Sequence, residues 1–325
     1  MKKEDIIRKL ENREDSTILS FPERGPWGSS AYRGNCSGWI PAYFIWKYQA
    51  QKVAEVFAGS GTTFDVCRDM QVSYCGIDLN PNPTRPGILP MNILDETKDL
   101  PDAFYDADMV FLHPPYPSIH EVKYSNSMWK DTQNLSQWDI QNMGWEKGMQ
   151  AVNKSLLRAY TAMQPGAYEV ILVGEIRSKG QYRSMYQNLA LPGTLHQTFI
   201  KLQHNCISNG RKYGNSNFAL TGHEMIAVIK KPSGYEIAYV IPKKVSLDIR
   251  DSISATWKDV CMAVIHEFPK HTQVTVQMIL EKIVNYKKAK QSNNKNLTAK
   301  IRQTLQQLRD GGLINHISSG VWMAA

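Results

Sequence analysis

The sequence lacks the features that mark membrane, secreted and metal-binding proteins. No apolar run approaches the roughly 18 residues that a membrane-spanning helix needs. The first residues, MKKEDIIRKLENRED, contain no apolar segment of the kind found in signal peptides. The five cysteines form no CxxC pair, which argues against a disulfide framework and a zinc site. These absences predict a cytoplasmic protein that has no membrane partner and binds no metal.

Short apolar runs alternate with helix-length segments over most of the chain. Near-continuous apolar runs are typical of strands buried on both faces of a parallel sheet, and here they occupy residues 52–57, 74–79, 107–112 and 168–176. Residues 149–163 keep helical spacing, and a Pro-Gly pair ends that helix. Two later runs, residues 198–203 and 223–231, are expected to pair antiparallel at the edge of the sheet. The pattern predicts an α/β domain with a doubly wound, mostly parallel sheet.

The pattern changes beyond residues 230–251, a segment rich in Pro, Gly and Lys. Three amphipathic helices are then predicted, at residues 257–268, 276–283 and 297–308. Two short apolar runs on either side of a Ser-Gly pair predict a hairpin. Three helices followed by a hairpin form a winged-helix pattern, whose third helix usually enters the major groove of DNA. We therefore predict two domains, residues 1–245 and 246–325.

Basic residues are concentrated near the end of the chain. The formal net charge is +8, and residues 251–325 carry ten Lys and Arg against five Asp and Glu. A local excess of positive charge attracts the phosphate backbone of nucleic acids. A lysine-rich solvated surface would give the same composition, so the charge alone leaves both interpretations open.

A glycine-rich turn, FAGSGTT, follows the first predicted strand. Gly59 and Gly61 lie where that strand turns into a helix, and a glycine there lets the backbone approach a bound cofactor. The turn lacks the third glycine of the dinucleotide fingerprint and the Gly-Lys-Ser/Thr of a P-loop, which disfavours NAD and ATP. Asp78 follows the second strand, where a carboxylate accepts hydrogen bonds from ribose hydroxyls. A simple tight turn and a turn-capping acid are the alternatives.

The tetrad His113-Pro114-Pro115-Tyr116 follows the predicted strand at residues 107–112 and is suited to holding an amine. An exocyclic amine of a base is a poor nucleophile because its lone pair is delocalised into the ring. The Pro114 carbonyl and a neutral His113 nitrogen can accept its two N–H groups and so localise the lone pair. Tyr116 offers an aromatic face to a base that has left the double helix.

The order of these motifs resembles that of the S-adenosylmethionine-dependent amino-methyltransferases of DNA, over about residues 27–231 and in the arrangement called gamma. The resemblance implies a Rossmann-like methyltransferase fold, S-adenosylmethionine as cofactor, DNA as partner, and methylation of adenine N6 or cytosine N4. It assigns the catalytic roles to the four residues of the tetrad. It assigns cofactor contacts to Phe57, Ala58, Gly59, Gly61, Thr62 and Asp78.

Two further cofactor contacts are expected outside these motifs. Asp95 follows a third strand and is expected to lie over the base of the cofactor, with a surface acid as the alternative. Asn35 belongs to a polar segment that, in the family, closes over the methionine end of the cofactor. A polar surface loop is the alternative for that segment.

The tetrad departs from the family at its first position, which is normally Asp, Asn or Ser. A site that has lost activity, or a Pro-Pro pair that merely ends a strand, would also explain His113. Because the loop, the acid and the tetrad agree, we predict a working site with adenine N6 favoured over cytosine N4. An RNA or protein methyltransferase, or a catalytically inactive DNA-binding regulator, are the other candidates.

The segment between residues 117 and 145 is long and contains Tyr124, Trp129 and Trp138. Long segments of this kind in compact domains are often functional, and this one directly follows the tetrad. Its aromatic residues could cover a flipped nucleotide, or they could be anchors in the core.

Residues 257–322 resemble the winged-helix module at the C-terminus of restriction endonucleases of the Dam-replacing type. The resemblance implies DNA binding through the third helix, with the candidates Lys295, Asn296, Lys300, Arg302 and Gln303. Lys and Arg would meet phosphates, while Asn, Gln or Arg would read base edges; protein contacts are the alternative. We expect a bacterial, phage or mobile-element protein of a restriction-modification type. The sequence leaves open a homodimer and a cognate restriction endonuclease.

Overall fold

A computed structural model describes residues 1–118, 124–129, 133–178, 181–204, 219–232, 239–240, 248–252, 255–269, 271–292, 294 and 296–324. The chain divides into two compact units, Met1–Pro242 and Lys243–Ala325. The division falls close to the boundary predicted between residues 245 and 246. Each unit has its own hydrophobic core.

The first unit alternates strands and helices as the apolar pattern predicts. Its helices are α1 (Lys3–Glu11), α2 (Trp39–Lys47), α3 (Thr62–Met70), α4 (Asp102–Tyr105) and α5 (Trp145–Ala162). Its first six strands are β1 (Ile18–Leu19), β2 (Lys52–Val56), β3 (Ser73–Asp78), β4 (Ile88–Pro90), β5 (Met109–Leu112) and β6 (Tyr168–Val173). The later strands are β7 (Glu175–Ser178), β8 (Gln181–Ser184), β9 (Leu191–Pro192), β10 (Thr194–Leu202), β11 (His223–Lys230) and β12 (Tyr239–Val240).

Eight of the described strands form one sheet in the order β1-β10-β11-β6-β5-β2-β3-β4. The pairs β6/β5, β5/β2, β2/β3 and β3/β4 are parallel, and β11 is antiparallel to both of its neighbours. The predicted α/β class, with a mostly parallel sheet, is confirmed. The antiparallel pairing of β10 with β11 is also confirmed, but β10 is not the edge: the two-residue strand β1 pairs beyond it.

Both faces of this sheet are buried, which explains the near-continuous apolar runs. Along β5, Val110 and Leu112 pack into one core cluster, whereas Met109 and Phe111 pack into the other. The helix α5 covers the first face with a stripe of apolar residues at helical spacing. Burial of each such Leu, Ile or Phe contributes about 1.5–3 kcal/mol, so the two layers together fix the sheet.

The strand predicted over residues 168–176 is interrupted. The strand β6 ends at Val173, and Glu175 begins the hairpin of β7 and β8. Gly174 lies between them under Tyr116, and a Cβ on this glycine would be 2.7 Å from both the ring atom Cε2 and the hydroxyl oxygen of Tyr116. The break therefore makes room for the last residue of the tetrad.

The parallel strands end side by side at one edge of the sheet, at the point where the strand order reverses. Chain connections run from β2 to β3 on one side, and β5 lies on the other side of β2. Val56 is the register partner of both Ile77 and Leu112. The residues after these positions, Phe57, Asp78 and His113, therefore lie at one crevice, the usual ligand site of doubly wound sheets.

The second unit contains the predicted helices and hairpin. Its elements are α6 (Trp257–His266), β13 (Val274–Thr275), α7 (Val276–Ile283), α8 (Lys287–Lys290), α9 (Leu297–Asp310), β14 (Ile314–Ser318) and β15 (Val321–Ala324). The apolar faces of α6, α7 and α9 form one core with Trp322 of the hairpin. The short strand β13 and the short helix α8 were not predicted. No helix in the described ranges is long and apolar enough to cross a membrane.

One buried carboxyl group of the first unit has no partner. Glu169 on β6 is fully buried, and neither of its oxygens has a hydrogen-bond partner among the described residues. Burial raises the pKa of Glu169 well above its ordinary value, and Lys231 opposes this shift. Burial therefore favours the protonated form of Glu169 in the folded protein more than in the unfolded chain.

The replacement Glu169→Gln is expected to stabilise the protein increasingly as the pH rises. The unfolded carboxyl loses its proton near its ordinary pKa and the folded one only at a higher pH, so the wild type loses stability across that interval. We expect a gain of about 1–3 kcal/mol at pH 7.5 and almost none at pH 4, measured by urea unfolding. The exposed Glu96 gives the matched control, Glu96→Gln. An equal gain at both pH values would contradict the assignment.

Candidate active site

The turn after β2 has an unusual backbone conformation. Phe57 has a φ of 65°, Gly59 a φ of 50° and Gly61 a φ of 78°. A left-handed conformation costs a non-glycine residue such as Phe57 about 1–3 kcal/mol and is retained where a site needs it. Gly61 is the N-cap of α3, so its bend directs the chain from strand into helix. A Cβ on Gly59 would lie 3.1 Å from the Tyr32 ring, so this backbone is closely covered.

Asp78 connects this turn to the end of β3. Its Oδ2 accepts a hydrogen bond from the Gly59 N–H at 2.8 Å, and its Oδ1 accepts one from the Asn80 N–H at 2.8 Å. Burial raises the pKa of Asp78, and these two backbone donors oppose the rise. Each carboxylate oxygen keeps a further lone pair. Asp78 therefore fixes the turn and retains acceptors for a ligand hydroxyl.

A cavity that is open to solvent lies where these segments meet. Predicted site residues from both motifs line it: Phe57, Ala58, Gly59 and Thr62 from the glycine turn, and His113 and Pro115 from the tetrad. Asp78 and Asn35, which lie outside these motifs, also line it. Asn35 is held in place because its Nδ2 donates to the Ser29 carbonyl at 2.9 Å and its Oδ1 accepts from the Thr62 hydroxyl. The structure thus brings the glycine turn and the tetrad to one cleft.

Four of the predicted site residues do not line this cavity: Gly61, Asp95, Pro114 and Tyr116. The placement predicted for Asp95 is corrected by the structure. Its Oδ1 accepts hydrogen bonds from the N–H and the hydroxyl of Thr97, at 3.2 and 2.6 Å. The residues just before it, Asn92 to Leu94, line the cavity instead. Asp95 thus caps a local turn with its side chain 30% exposed, whereas the sequence left open a surface acid.

His113 lies at the edge of the cavity with its side chain 15% exposed. Burial lowers the pKa of His113 to about 4, Glu224 opposes this shift and Lys201 adds to it. The imidazole is therefore neutral at pH 7 and has one acceptor nitrogen. This state is the one that the predicted chemistry requires.

Tyr116 does not present its face to the cavity, contrary to the sequence prediction. Its hydroxyl donates to Glu224 Oε1 at 2.6 Å, and His113 Nε2 lies 3.4 Å from the same hydroxyl. The ring lies edge-on to the His113 ring, with centroids 5.9 Å apart. The hydroxyl turns the ring inward because the buried carboxylate of Glu224 binds it strongly.

Glu224 and Lys201 are site residues that the sequence analysis did not identify. They face each other across the antiparallel pair of β11 and β10, and the Lys201 ammonium donates to Glu224 Oε2. Both side chains are nearly buried. The signal in the sequence was a charged residue inside each of two apolar strands, and opposite charges at paired positions are typical of a cross-strand ion pair.

Aromatic residues of the N-terminal segment and of the loop after the tetrad surround the cavity. Tyr32 stacks on Tyr124 with ring centroids 5.8 Å apart. Trp129 is buried and Trp138 is 43% exposed, and both line the cavity. Trp129 is thus an anchor, as the alternative in the sequence analysis held, while Trp138 offers an accessible ring at the entrance.

A second buried acid, Glu55, lines the cavity on β2 and was also missed. Its carboxyl group accepts hydrogen bonds from the Thr63 hydroxyl at 2.5 Å and from the Tyr74 hydroxyl. Burial raises the pKa of Glu55 to about 8, and these two donors oppose the rise. An acidic residue inside an otherwise apolar strand was the sequence feature that could have identified Glu55.

The residues predicted to meet DNA lie on and just before α9 of the second unit. Asn296 is the N-cap, and its Oδ1 accepts from the Ala299 N–H at 3.0 Å. Lys300 donates to Gln303 Oε1 at 3.1 Å, and Arg302 and Gln303 are exposed. Lys295 lies outside the described residues. The helix therefore presents a polar, basic face in the predicted place.

Comparison with known families identifies the second unit. Residues 254–323 match the family described as the Dam-replacing HTH domain. The resemblance predicted for residues 257–322 is confirmed. None of the curated proteins matches the chain.

Solved structures similar to the chain include TrmN and two proteins whose titles name them as methyltransferases. TrmN from Thermus thermophilus has a TM-score of 0.36 and 13% identity, over 61% of this chain and 50% of its own. A SAM-dependent methyltransferase from Archaeoglobus fulgidus has a TM-score of 0.33 and 12% identity, over 59% of this chain and 93% of its own. A 16S rRNA (adenine(1408)-N(1))-methyltransferase from Catenulisporales acidiphilia has a TM-score of 0.30 and 15% identity, over 59% of this chain and 94% of its own. The chain thus spans half the length of the first of these.

Proposed function

We propose that this protein is a methyltransferase that uses S-adenosylmethionine to methylate an exocyclic amine of DNA, with adenine N6 favoured as the target. The observation that carries the proposal is the shared cavity. The turn around Gly59 and the tetrad residue His113 leave neighbouring parallel strands and line the same space. A nucleoside cofactor and an amine substrate can therefore meet there.

The residues of the turn fit S-adenosylmethionine. Gly59 has a φ of 50°, and a Cβ there would lie 3.1 Å from the Tyr32 ring, so this position favours glycine. Asp78 retains lone pairs for ribose hydroxyls, and Asn92 to Leu94 line the same end of the cavity. Asn35 supplies polar atoms from the opposite segment. Apolar walls with a few fixed polar groups are typical of a cofactor site.

The tetrad fits an amine substrate. When bound, the cofactor supplies a methyl group on a positively charged sulfur; the amine nitrogen gains the C–N bond and loses a proton, and the C–S electron pair stays on sulfur. The neutral His113 nitrogen, which lines the cavity, accepts an amine N–H group and orients the nitrogen lone pair. Trp138 at the entrance offers a ring for the base to stack on, the role predicted for Tyr116.

DNA as substrate is supported by the second unit. Its matching family is a Dam-replacing HTH domain, and α9 presents Lys300 and Arg302 beside exposed amide side chains. Basic helices of this kind bind phosphates and read bases in the major groove.

Mass spectrometry tests the proposal directly. Duplex DNA, RNA and a protein extract are each incubated with the protein and methyl-labelled S-adenosylmethionine, and labelled nucleosides and amino acids are quantified. We expect N6-methyladenine from DNA. Label in cytosine N4 would change the base, label in RNA or glutamine would replace DNA as the substrate, and no label in any sample would contradict the activity.

The joint replacement of Lys300 and Arg302 by Ala is expected to weaken DNA binding and its dependence on salt. Each lost phosphate contact removes about 0.9 from the slope of log K against log salt, so the slope should fall by between about 1 and 2. Fluorescence anisotropy with duplex DNA at several salt concentrations measures it. The matched control replaces Arg8 and Lys9 of α1, which also removes two positive charges. An unchanged slope in the first variant would exclude α9 as the docking helix.

A further inference from the structure

A nearly buried ion pair lies behind the tetrad. Glu224 and Lys201 have side chains only 9% and 13% exposed. Glu224 Oε2 accepts from the Lys201 ammonium, and Glu224 Oε1 accepts from the Tyr116 hydroxyl at 2.6 Å. The same Oε1 lies 4.0 Å from His113 Nε2. Four side chains from three parts of the chain thus form one polar cluster.

The cluster depends on the missing side chain at Gly174. Because Met225 of β11 pairs with Val173 of β6, the next position places Glu224 beside Gly174. The Tyr116 ring lies over this glycine and reaches across β6 to the carboxylate. Burial of an ion pair is expensive and gives little net stability, so such a pair is better explained by what it positions.

The hydrogen bonds determine which nitrogen of His113 carries its proton. The Tyr116 hydroxyl gives its single hydrogen to Glu224, so its oxygen faces His113 as an acceptor. His113 Nε2, 3.4 Å from that oxygen, must then donate. In a neutral imidazole this leaves Nδ1 without a proton and with a lone pair.

We propose that Lys201 and Glu224 are positioning residues that hold His113 neutral, with the proton on Nε2 and the Nδ1 lone pair available to the amine of the substrate. This inference rests on the proposed methyl transfer. The decisive group is the Lys201 ammonium. It neutralises Glu224, whose carboxylate would otherwise draw a second proton onto His113 and turn both ring nitrogens into donors.

The electrostatic environment agrees with this role. Burial lowers the pKa of His113, the Glu224 carboxylate acts to raise it, and the Lys201 ammonium lowers it further. Among the described residues, Cys36 and Tyr124 also act electrostatically on the cluster, and Glu55 and Arg24 act on Cys36. Burial raises the pKa of the Cys36 thiol to about 12, so this thiol stays neutral near pH 7. Burial raises the pKa of Glu55 to about 8, and the variants compared below leave Glu55 itself unchanged.

The test compares Lys201→Met, Lys201→Arg and the double variant Lys201→Met/Glu224→Gln with the wild type. Protein labelled with 15N-histidine is titrated by NMR, and the His113 signals are those absent from His113→Gln. Methyl transfer to duplex DNA is measured over the same pH range. Lys154→Met, which breaks the exposed pair of Lys154 with Glu96, is the matched control. Tyr116→Phe tests the tautomer separately, since it removes the oxygen to which Nε2 donates.

In the wild type, Lys201→Arg and Lys154→Met, we expect neutral His113 with the Nε2 proton and flat transfer rates from pH 6 to 8. In Lys201→Met the pKa of His113 should rise into this range. The rate of transfer should then fall about tenfold for each pH unit below that pKa. The double variant should restore neutral His113 and the flat profile. Tyr116→Phe should shift protons to Nδ1.

Two results would overturn the inference. One is a His113 titration that is the same in Lys201→Met and the wild type; the other is a Tyr116→Phe protein that keeps the Nε2 tautomer. If Lys201→Met does not fold, the tautomer measured in Tyr116→Phe decides alone. If the wild type transfers no methyl group but His113 titrates as expected, the proposed function is contradicted. The inference that Lys201 and Glu224 keep His113 neutral would still stand.

Discussion

The replacement His113→Ala is expected to lower the rate of methyl transfer by about 10²- to 10³-fold, with nearly unchanged affinity for S-adenosylmethionine. The reason is that His113 lines the cavity from the β5 side, whereas the turn that fits the cofactor follows β2. Loss of the imidazole removes one acceptor for the amine and leaves the cofactor contacts intact. Single-turnover transfer to duplex DNA and calorimetric cofactor binding measure the two effects separately.

Two further variants make this experiment specific. His196 lies exposed on β10, so His196→Ala removes an imidazole elsewhere in the same unit and should transfer at the wild-type rate. His113→Asn restores a neutral acceptor and gives the tetrad a residue usual in the family, so it should retain more activity than the alanine variant. Full turnover in His113→Ala would show that the tetrad does not hold the reacting amine.

The replacement Asp78→Ala is expected to weaken binding of S-adenosylmethionine by between about tenfold and 100-fold. The carboxylate holds the Gly59 and Asn80 N–H groups, each at 2.8 Å. Hydrogen bonds to a charged group contribute about 1.5–3 kcal/mol, and each 1.4 kcal/mol is about tenfold in affinity. Its loss releases the turn and also removes the acceptor for the ribose. Isothermal titration calorimetry measures the affinity.

Asp106→Ala is the matched control for this second prediction, because Asp106 is exposed and pairs only loosely with Lys52, at 3.5 Å. The control should bind the cofactor as the wild type does. Asp78→Asn should have an affinity for the cofactor between those of Asp78→Ala and the wild type, since its carbonyl can still accept from one backbone donor. Wild-type affinity in Asp78→Ala would mean that the cavity end near β3 does not bind the ribose.

The convergence of the glycine turn, Asp78 and His113 could be predicted from the sequence. Each follows an apolar run, and the carboxyl ends of neighbouring parallel strands meet at one edge of a sheet. The helices of the second unit could be predicted because their apolar residues recur at helical spacing. The strand β1 could not, since two residues are too few to show any period.

The sequence could not predict contacts that depend on register between distant strands. Tyr116 turns inward because Glu224, more than a hundred positions later, is brought beside Gly174. Asp95 turns to Thr97 because a local turn supplies donors closer than any ligand. In both cases the residue type was compatible with two environments, and only the packing of the chain decided between them.

The close approach of Glu224 to His113, 4.0 Å between Oε1 and Nε2, restricts which residues can stand at the first tetrad position. An aspartate there would place a second carboxylate near that of Glu224, and like charges disfavour each other. A bulkier residue at position 174 would push the tyrosine away. We therefore expect coupled inheritance: lineages with an acidic tetrad should lack the glutamate, and those with a histidine should keep the glycine, lysine and glutamate together.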